Sequence, residues 1–335
     1  MKSLYDHINE LPIAQWHYYF GLNNNLASDK PFIDNSDYSN FILNYFQKGG
    51  KIEVFESCQI NPLDLRLPDH ICSVFFLGVL VYYNTSLHKK YKLGNNGPGY
   101  KSFPFIWFLI ALFHDNAYQM EDKNQLQDVS SIADLVKKFN IKHSLLDKEF
   151  TKCRELLTIR NNYFLFRKEK WNVVDHGILG GMLLFDRLVK IRRAKKINNE
   201  DTLFWGRTLE NQYKTAANAI SIHNIWIQPK SICDQFNLNE LLSFKPIKFK
   251  EFPMFYILGI IDTIEPLKTY KDDNLLDTDI LKSINLEFGK QYIRVIESNI
   301  SKIDFKKLVQ KVIDLVGWLD VKIEIEHREF KVIFR

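Results

Sequence analysis

Apolar side chains recur three and four positions apart through most of this chain from about residue 69 onward. That period is typical of helices that bury one face. Breaker residues separate the segments, most clearly in the loop Leu93–Gly99. The pattern predicts helices at residues 69–84, 102–121, 130–139, 145–159, 175–195, 202–223, 236–243, 252–265 and 275–285.

The C-terminal end of the chain has a different period. Residues 306–319 follow an amphipathic helical pattern, and Val321–Glu326 and Phe330–Phe334 then alternate apolar with polar side chains. With a turn at His327–Glu329, this alternation predicts a β-hairpin. Because an isolated hairpin is barely stable in water, we expect it to pack on the helices or on a partner. The predicted fold class is an all-α helical bundle with a small C-terminal β-hairpin appendage.

The same patterns predict three parts of the chain. Residues 1–60 mix aromatic side chains with polar turns and are predicted to form an N-terminal helical extension. Residues 61–270 form the main helical domain, and residues 271–335 form the C-terminal helix and hairpin. The apolar fraction of 46% is ample for a packed core and argues against disorder.

Composition excludes several classes of protein. The four cysteines are scattered without a CxxC pair, which argues against a zinc ribbon and a disulfide scaffold. The first residues lack the apolar core of a signal peptide. The most apolar runs, at 73–83 and 104–113, are shorter than the roughly 20 residues that span a bilayer. We therefore expect a cytoplasmic protein with no membrane partner. The net charge of +5 fits a phosphate-bearing ligand without requiring one.

Histidines and aspartates occur together at several points within otherwise apolar segments. The pair His114-Asp115 ends the strongly apolar run 103–113, where both groups are costly to bury unless they have partners. Imidazole and carboxylate together suit a divalent metal such as Fe, Mn, Ni or Zn. The segments are Asp69-His70, His114-Asp115, Asp175-His176, His223 and Asp262.

Each of these residues also has a plainer interpretation. A single histidine on an apolar helix face is more often a hydrogen-bonded core residue than a metal ligand. Asp175 is well placed to be the N-cap of the helix that follows it. Three glycines at 177, 180 and 181 cost about 1 kcal/mol each in a helix, so they indicate close packing or a site there.

Taken together, the segments resemble the signature of the HD-domain superfamily of metal-dependent phosphohydrolases. His114-Asp-Asn-Ala-Tyr118, followed by Glu121, resembles its HD-x-G-Y-x-x-E segment, with Ala117 in place of the usual glycine. The resemblance covers about residues 65–270. Three further stretches resemble the family's other motifs: Asp175-His-Gly-Ile-Leu-Gly-Gly181, Ala219-Ile-x-x-His-Asn224 and Leu258-x-x-x-Asp262-x-x-Glu265.

The resemblance implies a centre with two divalent metal ions, drawn from Mn, Fe, Ni, Co, Zn and Mg. One metal would be held by His70, His114, Asp115 and Asp262. Asp115 would bridge to the second metal, which His176 and His223 would complete. The activity implied is that of a phosphohydrolase or phosphodiesterase, an ester-bond hydrolase that cleaves a phosphoester or phosphoanhydride of a nucleotide-like substrate. A hydroxide shared by the metals would attack phosphorus.

The catalytic residues expected from the resemblance are Asp115 and His114. Lys168 and Arg187 are candidates for the positive charge near the leaving oxygen, and Lys101 is a third. Supporting groups that would orient the ligands are Asn116, Asp175 and Asn224.

Two other functions stay open. One is an HD-type nuclease that acts on single-stranded nucleic acid, with which the basic runs 89–92 and 190–196 are compatible. A non-catalytic module that binds metal or a nucleotide as a sensor is the other alternative. The terminal hairpin offers a surface to a second copy of the chain or to a protein partner.

Overall fold

A computed structural model describes much of the chain, in several separate stretches. They group into two compact units, of which unit 1 is Met1–Tyr45, Leu67–Ala111 and Pro246–Arg335, and unit 2 is Phe46–Arg66 and Leu112–Lys245. The described residues are 1–17, 31–32, 38, 41–42, 51–57, 67–90, 102–121, 126–143, 154–197, 206–225, 230–235 and 246–335.

Helices dominate both units, as the sequence predicts. In the described part of unit 1 they are Leu4–Glu10, Ile13–Trp16, Pro68–Asn84, Leu87–Lys90, Ser102–Phe113, Pro253–Ile264, Pro266–Tyr270, Asp277–Lys282 and Phe305–Ile313, of which Ser102–Phe113 has its last two residues in unit 2. In the described part of unit 2 they are Lys51–Ser57, Ile132–Lys138, Arg154–Trp171, His176–Ile197, Gly206–Ile222 and Lys230–Gln235, with a 3₁₀ helix at Asn116–Glu121.

The helix Pro68–Asn84 forms the centre of unit 1. Pro68 occupies a first-turn position, where its missing N–H costs no hydrogen bond. All residues from His70 to Tyr82 are buried, which is typical of a helix enclosed on every side. The indole of Trp107 donates a hydrogen bond to the Phe75 carbonyl oxygen at 2.9 Å. The helices Pro253–Ile264 and Leu4–Glu10 also pack against this central helix.

An antiparallel sheet of five strands completes unit 1. The strands are β1 (Lys2–Ser3), β2 (Ile284–Gly289), β3 (Tyr292–Glu297), β4 (Val321–Glu326) and β5 (Glu329–Phe334), in the order β1-β2-β3-β5-β4. The predicted terminal hairpin is confirmed as β4 and β5. It is not a lone hairpin, because β5 pairs with β3 in a register that places Val295 opposite Phe330.

The chain is mostly helical, as predicted, but the sheet is larger than the predicted hairpin appendage. The helix predicted at 275–285 ends at Lys282, and β2 begins at Ile284. The reason is visible in the side chains, since β2 and β3 alternate buried with more exposed residues, the period of a strand. The division at residues 60 and 270 stays a prediction.

In unit 2, the helices His176–Ile197 and Gly206–Ile222 pack along each other. Glycine permits this contact, because a Cβ at Gly181 would lie 2.5 Å from the Ala217 carbonyl oxygen. The packing role predicted for the glycines is thus confirmed. Asp175 is the N-cap, since its Oδ1 accepts the backbone N–H of Ile178 at 3.0 Å.

Several predictions fall on parts of the chain that the structure does not describe. The helix at 236–243, the loop at 93–99 and Lys101 lie outside the described residues. Within the described ranges, none of the helices has both the length and the apolar composition that crossing a membrane requires.

Candidate metal centre

The His114-Asp115 pair lies at a break between two helices of different type. The helix Ser102–Phe113 ends immediately before it, and the 3₁₀ helix Asn116–Glu121 begins immediately after it. The Tyr118 backbone N–H donates to the Asp115 carbonyl oxygen at 3.0 Å, which tightens this turn. The prediction of one uninterrupted helix over 102–121 is therefore wrong, because the pair occupies the turn.

Asp115 and two histidines of unit 2 converge. Oδ1 of Asp115 lies 3.2 Å from Nε2 of His176 and 3.6 Å from Nε2 of His223. All three residues are buried. One ligand atom from each lies within 4.8 Å of the others, a spacing that a single metal ion can bridge. The helices that carry the two histidines are those held together across Gly181.

The other ring nitrogen of each histidine is already engaged. Nδ1 of His223 donates to the Ile220 carbonyl oxygen at 2.7 Å, and Nδ1 of His176 donates to Oε1 of Glu121 at 2.7 Å. Since both acceptors are oxygens, each Nδ1 carries a proton, and in the neutral ring the lone pair is on Nε2, which faces Asp115. Histidines that bind metals are usually held in this way, with the second ring nitrogen bonded to a carboxylate or a carbonyl.

The surroundings of His176 favour positive charge. Burial opposes protonation, but the hydrogen bonds to Asp115 and Glu121 outweigh it and raise the pKa of His176 to about 10. Glu121 also accepts the backbone N–H of His176 at 2.8 Å and a hydrogen bond from the Arg167 guanidinium at 3.2 Å. Carboxylates thus surround a position where a cation is stabilised, and a divalent metal ion is one such cation.

His114 and Tyr118 border the same cluster. Nε2 of His114 lies 3.7 Å from Oδ2 of Asp115, the second oxygen of that carboxylate. The His114 and His223 rings are 5.4 Å apart between centroids, and the Tyr118 ring lies 4.7 Å from the His176 ring. Both oxygens of Asp115 therefore face imidazoles.

Unit 1 repeats the arrangement around His70. Nε2 of His70 lies 3.1 Å from Oδ1 of Asp262, and Nδ1 lies 2.6 Å from Oε2 of Glu265. Burial opposes protonation of this ring, but the charge of Glu265 outweighs it and raises the pKa of His70 to about 9. Glu265 is fixed in turn, because it caps the helix Pro266–Tyr270 and accepts the Leu267 N–H at 2.8 Å.

Three of the predicted ligand histidines therefore share one geometry. In His70, His176 and His223, Nδ1 bonds to a fixed oxygen, and Nε2 faces an aspartate oxygen. These buried groups could hold a metal ion. The donor set fits borderline divalent metals, which accept imidazole and carboxylate together.

No role was predicted from the sequence for the groups that hold the histidines. Glu121 and Glu265 appear there only as letters of the motifs. Arg167 was missed altogether, and the neighbouring Lys168 was proposed instead. Glu265 did carry a signal, since Pro266 is typical of the first position of a helix and so places Glu265 at the N-cap.

The two predicted cationic residues have other described contacts. Nζ of Lys168 donates to the Leu126 carbonyl oxygen at 3.0 Å and to Oδ1 of Asn172 at 2.8 Å. Arg187 donates to the Phe139 carbonyl oxygen at 2.8 Å and bonds Asp186. Their catalytic role stays a prediction that these contacts do not support.

The predicted supporting residues lie beside the cluster of unit 2. Nδ2 of Asn224 donates to Oδ2 of Asp175 at 2.7 Å, so these two side chains hold each other. Asn116 follows Asp115 directly and is 3% exposed. Within the described residues, neither polar atom of the Asn116 side chain has a hydrogen-bond partner. A buried amide without partners is costly, which is a sign of a polar ligand or water at this position.

No protein-family model, curated protein or solved structure matches this chain. The HD-domain resemblance is therefore carried by the motifs and by the two histidine clusters.

Proposed function

We propose that this protein is a divalent-metal-dependent phosphohydrolase of the HD-domain type. It would hydrolyse a phosphoester or phosphoanhydride bond of a nucleotide-like substrate. The observation that supports this proposal most is the convergence of His176 and His223 on one oxygen of Asp115, each with Nε2 towards that oxygen and Nδ1 bonded to another oxygen of the protein.

In unit 2 the proposed ligands are His114, Asp115, His176 and His223. In unit 1 they are His70 and Asp262, which the resemblance implies. Bound metals would activate water near neutral pH and neutralise charge on a phosphate group. The chain would hold the donors in place, through Glu121 behind His176 and the Ile220 carbonyl group behind His223. Since the donors are already oriented, metal binding would cost little side-chain entropy.

Two observations support a small phosphorylated substrate over a nucleic acid. Three cations of the basic run 190–196 are engaged with carboxylates, because Arg192 and Arg193 bond Glu210, and Lys190 lies 2.7 Å from Asp186. The buried side chain of Asn116, the residue after Asp115, has no hydrogen-bond partner among the described residues, and a small polar ligand would satisfy it. A nuclease would need free cations along a groove for the phosphate backbone.

The test is product analysis on a panel of substrates with added Mn, Fe(II), Ni or Mg. The panel contains nucleoside mono- and triphosphates, cyclic nucleotides, dinucleotides and short single strands. Asp115→Asn removes the converging carboxylate, and Asp186→Asn serves as the matched control, because Asp186 is also buried but bonds the backbone at Lys142 and His143. We expect turnover of one substrate class, lost in Asp115→Asn and kept in Asp186→Asn.

Metal content provides a second test that does not depend on finding the substrate. We expect two divalent ions per chain in the wild type by elemental analysis after reconstitution. His176→Ala should lose the ion of unit 2, because it removes one of the converging Nε2 atoms. The proposed function would be refuted if neither the wild type nor Asp186→Asn binds metal and neither hydrolyses a substrate of the panel. Two bound ions without turnover would favour the sensor instead.

A further inference from the structure

A lysine lies directly beside the metal-facing oxygen of unit 1. Nζ of Lys268 lies 3.4 Å from Oδ1 of Asp262, the same oxygen that is 3.1 Å from Nε2 of His70. The Lys268 side chain is 33% exposed and that of Asp262 is 14% exposed. This side of the cluster is therefore accessible to a ligand, although the His70 ring is completely buried.

A second lysine reaches the same place from the C-terminal region. Lys311 lies on the helix Phe305–Ile313, and its Nζ donates to Oγ1 of Thr269, the residue after Lys268, at 2.9 Å. Buried side chains of this helix, among them Leu308 and Val312, fix it on unit 1. Desolvation and then the positive charge of Lys268 lower the pKa of Lys311. The Thr269 hydroxyl group thus holds the Lys311 ammonium group beside the backbone of residue 268.

Lys307 shows how an ordinary surface lysine of this helix behaves. It lies one turn before Lys311, and its Nζ is 2.7 Å from both carboxylate oxygens of Asp273. Lys307 thus has its own counter-ion at the surface. Lys311 instead donates to a neutral hydroxyl group while it lies near Lys268.

The charges around Asp262 indicate which ligand fits. A divalent ion bound by a neutral His70 and by Asp262 would add positive charge to a cluster that already contains the ammonium groups of Lys268 and Lys311. It would also compete with Lys268 for the Asp262 oxygen and repel the ammonium group. An anion beside the metal would remove both costs.

We propose that Lys268 and Lys311 form an anion subsite next to Asp262, which binds the terminal, dianionic phosphate group of the substrate. This inference rests on the proposed function, because it requires a metal ion at His70 and Asp262. Coulomb attraction scales with the charge of the ligand, so a dianionic terminal phosphate gains more here than a monoanionic diester. The resemblance does not imply this subsite, since Lys311 lies beyond residue 270, where the resemblance ends.

The experiment measures binding of inorganic phosphate and of dimethyl phosphate to the metal-loaded full-length chain by calorimetry. The variants are Lys268→Met, Lys311→Met and the control Lys307→Met, and metal affinity is titrated separately for each. We expect wild type and Lys307→Met to bind inorganic phosphate more tightly than dimethyl phosphate. Each subsite variant should bind inorganic phosphate at least about tenfold more weakly, the loss of one hydrogen bond between charged groups.

In Lys268→Met, metal affinity is not expected to fall with phosphate affinity. Lys268→Met removes a positive charge beside Asp262, so its metal affinity should equal or exceed that of the wild type. Damage to the fold would weaken both metal and phosphate binding. Weaker phosphate binding with unchanged or stronger metal binding therefore distinguishes loss of the subsite from misfolding.

The outcomes separate the two proposals. Metal binding with equal phosphate affinity in all variants would overturn the subsite and leave the proposed function standing. Metal binding with no preference for inorganic phosphate over dimethyl phosphate would overturn the assignment of a terminal phosphate group. A chain that binds no divalent metal would refute the proposed function, and the subsite with it.

Discussion

Oε1 of Glu121 accepts two hydrogen bonds from His176, one from the ring Nδ1 at 2.7 Å and one from the backbone N–H at 2.8 Å. A single carboxylate oxygen therefore fixes both the start of the helix His176–Ile197 and the orientation of the imidazole. Asp115 lies on the opposite side of the same ring, 3.2 Å from Nε2. This relationship makes Glu121 part of the proposed metal centre even though it faces away from the metal position.

Glu121→Ala should weaken metal binding without removing a ligand. The His176 ring would lose the acceptor that fixes its tautomer, and such losses typically cost 10–100-fold in metal affinity. Glu121→Gln keeps an acceptor oxygen and should show a smaller loss. Calorimetric titration with Mn or Ni measures both variants. Glu169→Ala, an exposed glutamate of the helix Arg154–Trp171, is the control, and an affinity in Glu121→Ala equal to this control would contradict the prediction.

Arg167→Met should lower the free energy of unfolding. The guanidinium bonds Glu121 at 3.2 Å and lies 3.9 Å from Oδ2 of the fully buried Asp175. Without the guanidinium, the carboxylates of Glu121 and Asp175 lose a positively charged partner, which costs about 1–3 kcal/mol of stability. Urea denaturation of the metal-free protein measures this difference.

Lys168→Met is the control for Arg167→Met, because Lys168 is the next residue of the same helix. Its ammonium group bonds only uncharged oxygens among the described contacts, those of the Leu126 carbonyl group and the Asn172 side chain. Its stability should change by less than about 0.5 kcal/mol. The same variant tests the catalytic role predicted for Lys168. Unchanged turnover in Lys168→Met would remove that residue from the proposed mechanism, whereas loss of turnover at wild-type stability would restore it.

Gly177→Ala should disturb His223 specifically. A Cβ at residue 177 would lie 2.8 Å from Nδ1 of His223 and 2.9 Å from the Ile220 carbonyl oxygen, the two atoms that form the hydrogen bond fixing this ring. Overpacking of this kind costs about 1–3 kcal/mol and would displace the imidazole. We expect metal affinity to fall together with stability.

Gly259→Ala is the matched control for the glycine substitution. The nearest atom to its Cβ would be Cδ1 of Leu319 at 3.0 Å, the end of a side chain that can rotate away. Metal affinity should therefore persist in Gly259→Ala. Equal losses in both variants would mean that Gly177 contributes only to helix packing.

Local signals in the sequence account for most helices and for the positions of the histidines. The pattern of buried positions in Pro68–Asn84 and Pro253–Ile264 is dense enough to define each helix within one or two residues. Strand β1 has two residues and carries no periodic signal. Strands β2 and β3 alternate buried with more exposed side chains, but the helix predicted at 275–285 includes the first two residues of β2.

The partners of the histidines depend on contacts between distant segments. Arg167 meets Glu121 across 46 residues of sequence, and His70 meets Glu265 across 195. No spacing rule connects such pairs. The motifs singled out His176 and His223, and the folded chain brings both to Asp115 and shows which nitrogen faces it.

The pH dependence of stability should contain a contribution from Glu210. Burial opposes ionisation of this carboxyl, but hydrogen bonds from Arg193 and Arg192 outweigh it and lower its pKa to about 2, from the ordinary value of 4.5. A carboxyl whose pKa is lowered on folding stabilises the protein above its unfolded pKa. That contribution is lost as the pH falls from about 4.5 towards 2. After solvent screening it amounts to about 1 kcal/mol.

Glu210→Gln isolates this contribution. Urea denaturation at a series of pH values should show the variant less stable than the wild type at pH 6 by about 1 kcal/mol, with the difference shrinking towards pH 2. The reason is that protonated Glu210 and Gln are both neutral, so the two proteins differ in charge only at higher pH. Glu169→Gln, exposed and on another helix, should follow the wild-type curve throughout. A difference between wild type and Glu210→Gln that stays constant with pH would show that packing, and not the ion pair with Arg192 and Arg193, accounts for the role of Glu210.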